Sequence, residues 1–153
     1  MSCCHEEVIF GVWRNLQEFP DSKLPTKAHS TDAGYDLYAA EKVTLRPGDR
    51  KIVKTGIHLQ MQDGWEAQIR PRSGNAAKYG ITVTNSPGTV DCSYCGMIMV
   101  ILQNTGEQTF TVEIGDKIAQ MVFQRIPVIS LQEIQEKPTN ETRGEKGFGS
   151  SGK

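Results

Sequence analysis

Turn residues interrupt this chain at short intervals, and that spacing restricts its fold more than any other feature of the sequence. Short apolar or alternating segments are separated by glycine and proline roughly every 8 to 12 residues, which is typical of β-sandwiches and β-barrels. The clearest turn signals lie at 46–49, 62–64, 86–88, 104–106 and 115–116. Segments with helical periodicity are scarce. The sequence therefore predicts an all-β fold.

Nine segments between these turns have the composition of β-strands. They are predicted at 8–13, 43–45, 51–59, 66–70, 81–84, 97–103, 109–112, 117–125 and 129–134. One short helix is predicted over 74–79, because Gly80 would end it in a left-handed conformation.

The strand predicted at 97–103 contains an unbroken apolar run from Met97 to Leu102. A strand with one solvated face alternates apolar and polar residues, so this strand is expected to be buried on both faces. In a small all-β chain, an interface between subunits is a natural second cover.

The chain is predicted to contain one domain followed by a C-terminal arm. Its 153 residues suffice for one well-packed core, because domains commonly have roughly 100 to 150 residues. Residues 137–153 have one aromatic side chain, Phe148, and no apolar periodicity, so they cannot build a core. We predict a single β-barrel domain over 1–136 and a flexible arm over 137–153 that becomes ordered on a ligand.

Charge and composition exclude several classes of protein. The 17 basic and 18 acidic residues give a net charge of −1, so the chain lacks the electrostatic footprint of a dedicated nucleic-acid binder. No apolar run approaches the roughly 20 residues that span a bilayer, and the N-terminus is acidic where a signal peptide would be basic. The four cysteines are too few and too clustered for a disulfide framework. We expect a soluble protein in the cytoplasm or elsewhere inside a cell, the nucleus and virus-infected cells included, with neither nucleic acid nor membrane as a partner.

Two glycine-containing segments could bind the oxygens of an anion. Residues 71–74 lead into the predicted helix, where Ser73 and the adjacent N–H groups form an anion site at a helix N-terminus. The backbone N–H groups of residues 147–152 can surround anionic oxygens near Arg143. Each segment alone has a simpler interpretation, namely a helix N-cap with a turn and a flexible linker.

Two aspartates and one cysteine pair could take part in chemistry. Asp36 and Asp91 lie in glycine-flanked segments, and aspartate is unfavourable inside strands. Each therefore has either a turn bond or a role with a hard cation or a reacting water. Cys92 and Cys95 form a CxxC motif, which can indicate redox chemistry or half of a zinc site. The chain contains no second CxxC and no C-terminal histidine cluster to complete such a site.

Five segments, taken together and in this order, resemble the five ordered motifs of the trimeric deoxyuridine triphosphatase family. They are AGYDLYA from Ala33, PRSGNAAKYG from Pro71, NSPGTVDCSYCG from Asn85, GDKIAQMVF from Gly115 and RGEKGFGSSG from Arg143. The resemblance extends from about residue 23 to residue 152, nearly the whole chain. It implies a distorted jelly roll, or β-clip barrel, that forms a homotrimer. Each active site of such a trimer is built from three chains, with the C-terminal arm swapped between them.

The resemblance implies Mg²⁺-dependent hydrolysis of dUTP to dUMP and pyrophosphate, which supplies dUMP for thymidylate synthesis and keeps uracil out of DNA. Asp91 matches the general base that activates the water attacking the α-phosphorus. Asp36 matches a carboxylate that contacts Mg²⁺ through bound water, because the ion is held mainly by the three phosphates and water.

The resemblance also assigns substrate contacts along the chain. Positions that contact the phosphates or order the catalytic water are matched by Arg72, Ser73, Gly74 and Gln120. The β and γ phosphates would be covered by Arg143, Gly149 and Ser150. The deoxyuridine would be bound by Asn85, Gly88, Thr89, Val90, Tyr94, Met99 and Phe148. In this scheme Tyr94 packs under the deoxyribose where a 2'-hydroxyl would clash, and Phe148 stacks on the uracil.

Four residues depart from the usual pattern of the family. Cys92, Ser93 and Cys95 surround Tyr94 where the family commonly has acidic, polar or basic residues. Asn75 replaces a residue that is usually apolar. These departures leave Asp91 and Tyr94 in place.

Three other functions are compatible with parts of the pattern. A dCTP deaminase shares the fold but needs a Glu that acts on the base, and we expect no Glu near the predicted hairpin at 85–91 or between Asp91 and Leu102. A non-catalytic nucleotide-sensing module would be marked by the loss of Asp91, which is present. A CxxC metal or redox protein would contain bound zinc or a reactive dithiol.

Overall fold

The computed structural model describes residues 7–139, which form ten β-strands and one short α-helix. The strands are β1 (Gly11–Arg14), β2 (Gly34–Tyr38), β3 (Val43–Leu45), β4 (Arg50–Gln60), β5 (Trp65–Arg70), β6 (Ile81–Val83), β7 (Gly88–Asp91), β8 (Met97–Asn104), β9 (Phe110–Val112) and β10 (Lys117–Arg125). The helix α1 (Ser73–Tyr79) lies between β5 and β6. The prediction of a mostly β-stranded chain is confirmed. Within residues 7–139, no helix has the length and apolar character that a membrane span requires.

The strands form two four-stranded antiparallel sheets and one two-stranded pair. The first sheet has the order β1-β4-β8-β6 and the second has the order β2-β10-β5-β7, whereas β3 pairs with β9. Side chains alternate between the two faces of each sheet. Apolar residues of both sheets form one buried cluster, which includes Leu37, Val53, Ala67, Val100 and Met121. The core therefore lies between the two sheets and fixes the positions of their strands.

The predicted helix is confirmed, and it starts one residue earlier than expected. Arg72 is the N-cap in an extended conformation, so Ser73 is the first helical residue and not the cap. Gly80 has a φ of 67°, and its N–H donates to carbonyl oxygens of the last helical turn. A Cβ at this position would overlap the backbone of Gly106. Gly80 therefore ends the helix as predicted, in a conformation that favours glycine.

Two strands lie outside the predicted set. β2 contains Gly34 and Asp36, and β7 begins with Gly88 and ends with Asp91. Glycine and aspartate are unfavourable in strands, but β2 pairs with β10 and β7 pairs with β5. Pairing with a neighbouring strand has therefore overridden the low propensity of these residues.

The predicted strand at 129–134 is wrong. The residues from 126 to 139 form no strand. Pro127 has no backbone N–H to donate to a ladder, and the segment has no partner strand within residues 7–139. Its apolar side chains stand away from the core, since Val128 is 101% exposed and Leu131 is 95% exposed.

The predicted hairpin at 85–91 is also wrong. β6 pairs with β8 in the first sheet, whereas β7 pairs with β5 in the second sheet. Residues 84–87 therefore carry the chain from one sheet to the other. β7 lies at the edge of its sheet, so one side of its backbone has no partner strand within that sheet.

Within a single chain, β8 is covered on one face only. Val100 and Leu102 are buried, whereas Met99 on the other face is 44% exposed. Ile52 stands opposite Ile101 on this outward face and is 56% exposed. The apolar sequence of β8 predicts burial on both faces, but within residues 7–139 the outward face of β8 is not buried.

Candidate active site

A pocket of about 400 Å³ lies beside the second sheet, where β2, β10 and the start of α1 meet. We name it the polar pocket. β10 lies between β2 and β5, so Gln120 stands opposite Asp36 on one side and Arg70 on the other. β5 ends at Arg70, and residues 71–72 lead directly into α1. The pocket is lined by Ala28, Asp32, Ala33, Gly34, Asp36, Arg72, Ser73, Gly74, Lys117 and Gln120.

Asp36 joins the two cations of the polar pocket. Its Oδ1 accepts a hydrogen bond from Arg72 Nε at 3.0 Å, and its Oδ2 lies 2.7 Å from Lys117 Nζ. The Asp36 side chain is only 15% exposed, so solvent screens these contacts less than it screens a surface ion pair. The hydrogen bond to Asp36 and its negative charge raise the pKa of Lys117 above its ordinary value. Lys117 is therefore a cation at neutral pH.

The side-chain amide of Gln120 is held from two sides. Its Nε2 donates to the carbonyl oxygen of Pro71 at 2.9 Å. Gly34 lies against its other side, and a Cβ at residue 34 would overlap the amide oxygen of Gln120. Because Gly34 has no side chain, the Gln120 amide fits between β2 and the loop before α1.

The charges of the polar pocket balance among its described residues. Asp32 and Asp36 are acidic, and Arg72 and Lys117 are basic. The backbone N–H of His29 donates to Asp32 at 2.9 Å and lowers the pKa of that carboxyl, so Asp32 is ionised at neutral pH. A polyanion such as a triphosphate would need further positive charge, from a metal ion or from residues outside 7–139.

A second pocket, of about 200 Å³, lies between β7 and β8, and we name it the β7–β8 pocket. It is lined by Thr89, Val90, Asp91, Tyr94, Met97, Ile98 and Met99. Most sites for small molecules have volumes of roughly 300 to 1,000 Å³. The β7–β8 pocket by itself can therefore enclose only part of a ligand of that size.

Tyr94 is fixed inside the β7–β8 pocket by its neighbours. Its hydroxyl donates to the carbonyl oxygen of Met97 at 3.0 Å, and its N–H donates to the carbonyl oxygen of Asp91 at 3.0 Å. A Cβ at Gly96 would overlap the ring and hydroxyl of Tyr94. The ring therefore lies over the backbone of Gly96, and a side chain there would displace it.

Two predicted base-binding residues lie beside the β7–β8 pocket and not in its lining. Asn85 packs against Gly88 at the start of β7, where a Cβ on Gly88 would be 3.0 Å from Asn85 Nδ2.

The expectation of no Glu near this segment is wrong, because Glu66 of β5 stands opposite Asp91. Glu66 Oε1 accepts a hydrogen bond from Gln68 Nε2 at 2.7 Å, and Glu66 does not line the pocket.

The CxxC motif does not form a metal site with other described residues. Cys92 and Cys95 are free thiols, and Cys92 Sγ lies 3.8 Å from Asp63 Oδ1. Among residues 7–139, no three His, Cys, Asp or Glu side chains come together in a way that could hold a metal ion.

The donor set of the polar pocket fits Mg²⁺ bound through water. Both carboxylate oxygens of Asp36 are already engaged, by Arg72 and Lys117. Mg²⁺ dehydrates reluctantly and is usually bound by one or two carboxylates together with waters and substrate phosphates. Asp36 is therefore suited to contact a hydrated Mg²⁺ ion through the ion's bound waters.

The structure divides the predicted site residues between the two pockets. Those in the polar pocket are Asp36, Arg72, Ser73, Gly74 and Gln120. Those in the β7–β8 pocket are Thr89, Val90, Asp91, Tyr94 and Met99. The two linings share no residue. The predicted contacts of Arg143, Phe148, Gly149 and Ser150 fall outside the residues that the structure describes.

Lys117 lines the polar pocket although the sequence does not predict it as a site residue. It lies three positions before Gln120, so regular alternation along β10 would place the two side chains on opposite faces. The ladder between β10 and β2 is irregular between Lys117 and Ala119, and this break lets both side chains reach the pocket. A basic residue in the segment GDKIAQMVF is the only sequence signal for this position.

Comparisons with known sequences point to one family. The model of the dUTPase family matches residues 21–152. The chain is similar to the deoxyuridine 5'-triphosphate nucleotidohydrolase of Clostridium novyi (strain NT), at 52% identity over 129 residues that cover 84% of this chain and 90% of the relative. The protein of the same description from Clostridium tetani is 48% identical over 133 residues, which cover 87% of this chain and 91% of the relative.

Solved structures of dUTPases have the same fold. The dUTPase of Staphylococcus bacteriophage 80alpha with dUPNHPP superposes with a TM-score of 0.85 at 27% identity, over 94% of this chain and 98% of that chain. A mutant dUTPase from phage phi11 of S. aureus, described for its coordination of a structural Mg(II) ion, superposes with a TM-score of 0.77 at 25% identity, over 86% of this chain and 100% of that chain. Because the family model and close relatives cover most of its length, the chain belongs to the dUTPase family.

Proposed function

We propose that this chain hydrolyses dUTP to dUMP and pyrophosphate, with Asp91 as the general base and with each active site assembled from neighbouring copies of the chain. The overall reaction is that of the dUTPase family. The observation that supports the base is the position of Asp91, which is exposed and lines the β7–β8 pocket together with Tyr94. A carboxylate within hydrogen-bond reach of a water can accept its proton as the water attacks the α-phosphorus.

The edge position of β7 supports recognition of the base in the β7–β8 pocket. One side of the β7 backbone has no partner strand in its sheet, so of the neighbouring residues Thr89 and Val90 one directs its N–H and C=O groups away from β5, where they are available to uracil. Uracil and cytosine present opposite hydrogen-bonding groups at position 4. Because a buried donor or acceptor without a partner costs about 1 to 3 kcal/mol, several mismatched groups would exclude cytosine. Asn85 and Gly88 would complete this edge.

The polar pocket would bind the phosphates. The guanidinium of Arg72 and the backbone N–H groups of Ser73 and Gly74 are donors suited to phosphate oxygens. Gln120 would order the attacking water. When bound near Asp36, Mg²⁺ would neutralise phosphate charge and orient the phosphate oxygens. The balanced charges of this pocket make such additional positive charge necessary.

A homotrimer of distorted jelly rolls would bring the two pockets together. The outward face of the first sheet carries Trp13, Ile52, Met99 and Ile101, of which Trp13 is 60% exposed and Ile52 is 56% exposed. Burial of apolar surface contributes roughly 25 cal/mol per Å². We infer that this face packs against neighbouring copies, so that the polar pocket of one chain faces the β7–β8 pocket of the next.

The residues after β10 would lead the arm to a neighbouring chain. Val128 and Leu131 are almost fully exposed in one chain, and a neighbour would cover them. The arm over 137–153 would then bring Arg143, Gly149 and Ser150 to the phosphates and Phe148 over the uracil. This arrangement divides the chain into a catalytic domain over 1–136 and a swapped arm.

In a cell, the reaction would supply dUMP for thymidylate synthesis and keep uracil out of DNA. A cytoplasmic or other intracellular location follows from that role. Neither nucleic acid nor a membrane is required as a partner.

A substrate panel in ¹⁸O-labelled water tests the proposal. The purified protein is incubated with Mg²⁺ and, separately, with dUTP, dCTP, dTTP and UTP. We expect conversion of dUTP alone, with the heavy oxygen in dUMP, because water attacks the α-phosphorus. Heavy oxygen in pyrophosphate would contradict that attack. Release of ammonia from dCTP would indicate a deaminase, and binding of dUTP without turnover would indicate a nucleotide-sensing module.

A further inference from the structure

Lys117 is connected to the polar pocket through both its side chain and its backbone. Its Nζ lies 2.7 Å from Asp36 Oδ2, and its carbonyl oxygen accepts a hydrogen bond from Asn75 Nδ2 at 3.1 Å. The other oxygen of Asp36 binds Arg72 Nε at 3.0 Å. Arg72 and Asn75 are three residues apart in the chain. Three contacts and the chain segment from Arg72 to Asn75 therefore form a closed ring that joins β2, β10 and the start of α1.

The ring makes the orientation of Arg72 depend on Lys117. A carboxylate that is bound at both oxygens cannot rotate freely, so Lys117 on Oδ2 keeps Oδ1 directed at Arg72. A guanidinium has five N–H donors. Arg72 uses Nε for Asp36, so its terminal Nη groups can donate to an anion in the polar pocket.

Lys117 also sets the charge of the polar pocket. With Lys117, the two carboxylates Asp32 and Asp36 are matched by two cations. Without it, two carboxylates would face one guanidinium in a pocket that receives a polyanion. Loss of Lys117 would therefore repel the phosphates and would release the Asp36 carboxylate from the orientation that holds Arg72.

We propose that Lys117 is a positioning residue for phosphate binding, which holds Asp36 in the orientation that directs Arg72, while Asn75 holds the backbone of Lys117. The inference rests on the proposed function of the polar pocket. Lys117 acts through Asp36, whereas Arg72 contacts the phosphates. An apolar side chain in place of Asn75 could not donate this hydrogen bond, so the second half of the ring depends on the Asn75 amide.

Substitutions of Lys117 test the proposal, and substitution of a lysine in another ion pair serves as the control. Lys117→Met is expected to lower kcat/KM for dUTP about tenfold, as the loss of residues that orient a site typically does. Lys117→Arg restores the charge and is expected to recover kcat/KM to within about threefold of the wild type. The control is Lys42→Met, because Lys42 forms a 2.7 Å ion pair with Glu113 away from both pockets, and it should leave kcat/KM unchanged.

Asn75→Leu tests the backbone half of the ring. It introduces an apolar residue of similar size and removes the hydrogen bond to the carbonyl oxygen of Lys117. We expect a loss of about threefold in kcat/KM in the wild-type chain and no further loss in the Lys117→Met chain. Equal losses in both chains would show that Asn75 acts independently of the Lys117 side chain and would contradict this part of the proposal.

A double-mutant cycle with Asp36→Asn closes the test, with the thermal unfolding midpoint of every variant measured in parallel. If Lys117 acts chiefly through Asp36, Lys117→Met should lower kcat/KM, and the affinity for dUPNHPP, much less than tenfold in the Asp36→Asn chain, where only the charge of Lys117 is still lost. A further tenfold loss, or an unchanged kcat/KM for Lys117→Met alone, would overturn the proposal. A wild-type protein that does not hydrolyse dUTP would instead contradict the proposed function, and the dUPNHPP affinities would still decide the role of Lys117.

Discussion

Asp91→Asn is expected to bind dUTP and to hydrolyse almost none of it. The substitution keeps the size and the hydrogen-bonding oxygen of the side chain but removes its ability to accept a proton from water. General-base catalysis contributes about 10² to 10⁴-fold, so kcat should fall by that factor. The measurement combines single-turnover hydrolysis of dUTP with the binding of dUPNHPP, whose affinity should remain close to that of the wild type.

The matched control for Asp91 is Glu66→Gln. Glu66 stands opposite Asp91 on β5 but does not line the β7–β8 pocket, so this variant should keep most of its turnover. A near-normal rate for Asp91→Asn, or a comparable loss for Glu66→Gln, would show that Asp91 is not the general base.

Removal of residues 137–153 is expected to have the second-largest effect and to leave an assembled but nearly inactive protein. The charges of the described residues in the polar pocket balance, so we expect the arm and Mg²⁺ to supply the positive charge for the departing pyrophosphate. Loss of donors that stabilise charge in a transition state typically costs about 10² to 10³-fold in kcat. The measurement is dUTP turnover, with the molecular mass determined by light scattering.

A full-length Arg143→Ala chain separates the charge of the arm from its other contacts. It should lose less turnover than the truncated chain, because Phe148 and the backbone N–H groups of the arm remain. Near-normal turnover of the truncated chain would show that the site is complete without the arm. A truncated chain that is monomeric would show that the arm is needed for assembly, in contradiction to the proposed contact face of the first sheet.

The sequence predicts those parts of the site that are close together along the chain. Asp91, Tyr94 and Met99 belong to one segment of β7 and β8, and they do line one pocket. The all-β class and the short helix are also predicted correctly, because turn residues and Gly80 act locally. Local signals of this kind need no knowledge of strand pairing.

The features that the sequence does not reveal depend on pairing between distant strands. Glu66 lies opposite Asp91 because β5 pairs with β7, and Lys117 reaches the polar pocket because the ladder of β10 with β2 is irregular. The segment at 129–134 has strand-like residues but no partner strand in the described chain. Register and irregularity are set by the packing of the whole sheet, so a pattern read along the chain cannot supply them.

Mixed trimers test the central claim that neighbouring chains share each active site. Arg72→Ala disables the polar pocket and Asp91→Asn disables the β7–β8 pocket, so a site within one chain would be inactive in both variants. If each site takes one pocket from each of two neighbouring chains, any mixed trimer contains one intact site in three, and trimers purified through two different tags should show about a third of wild-type turnover. Turnover no higher than that of the separate variants would contradict the account.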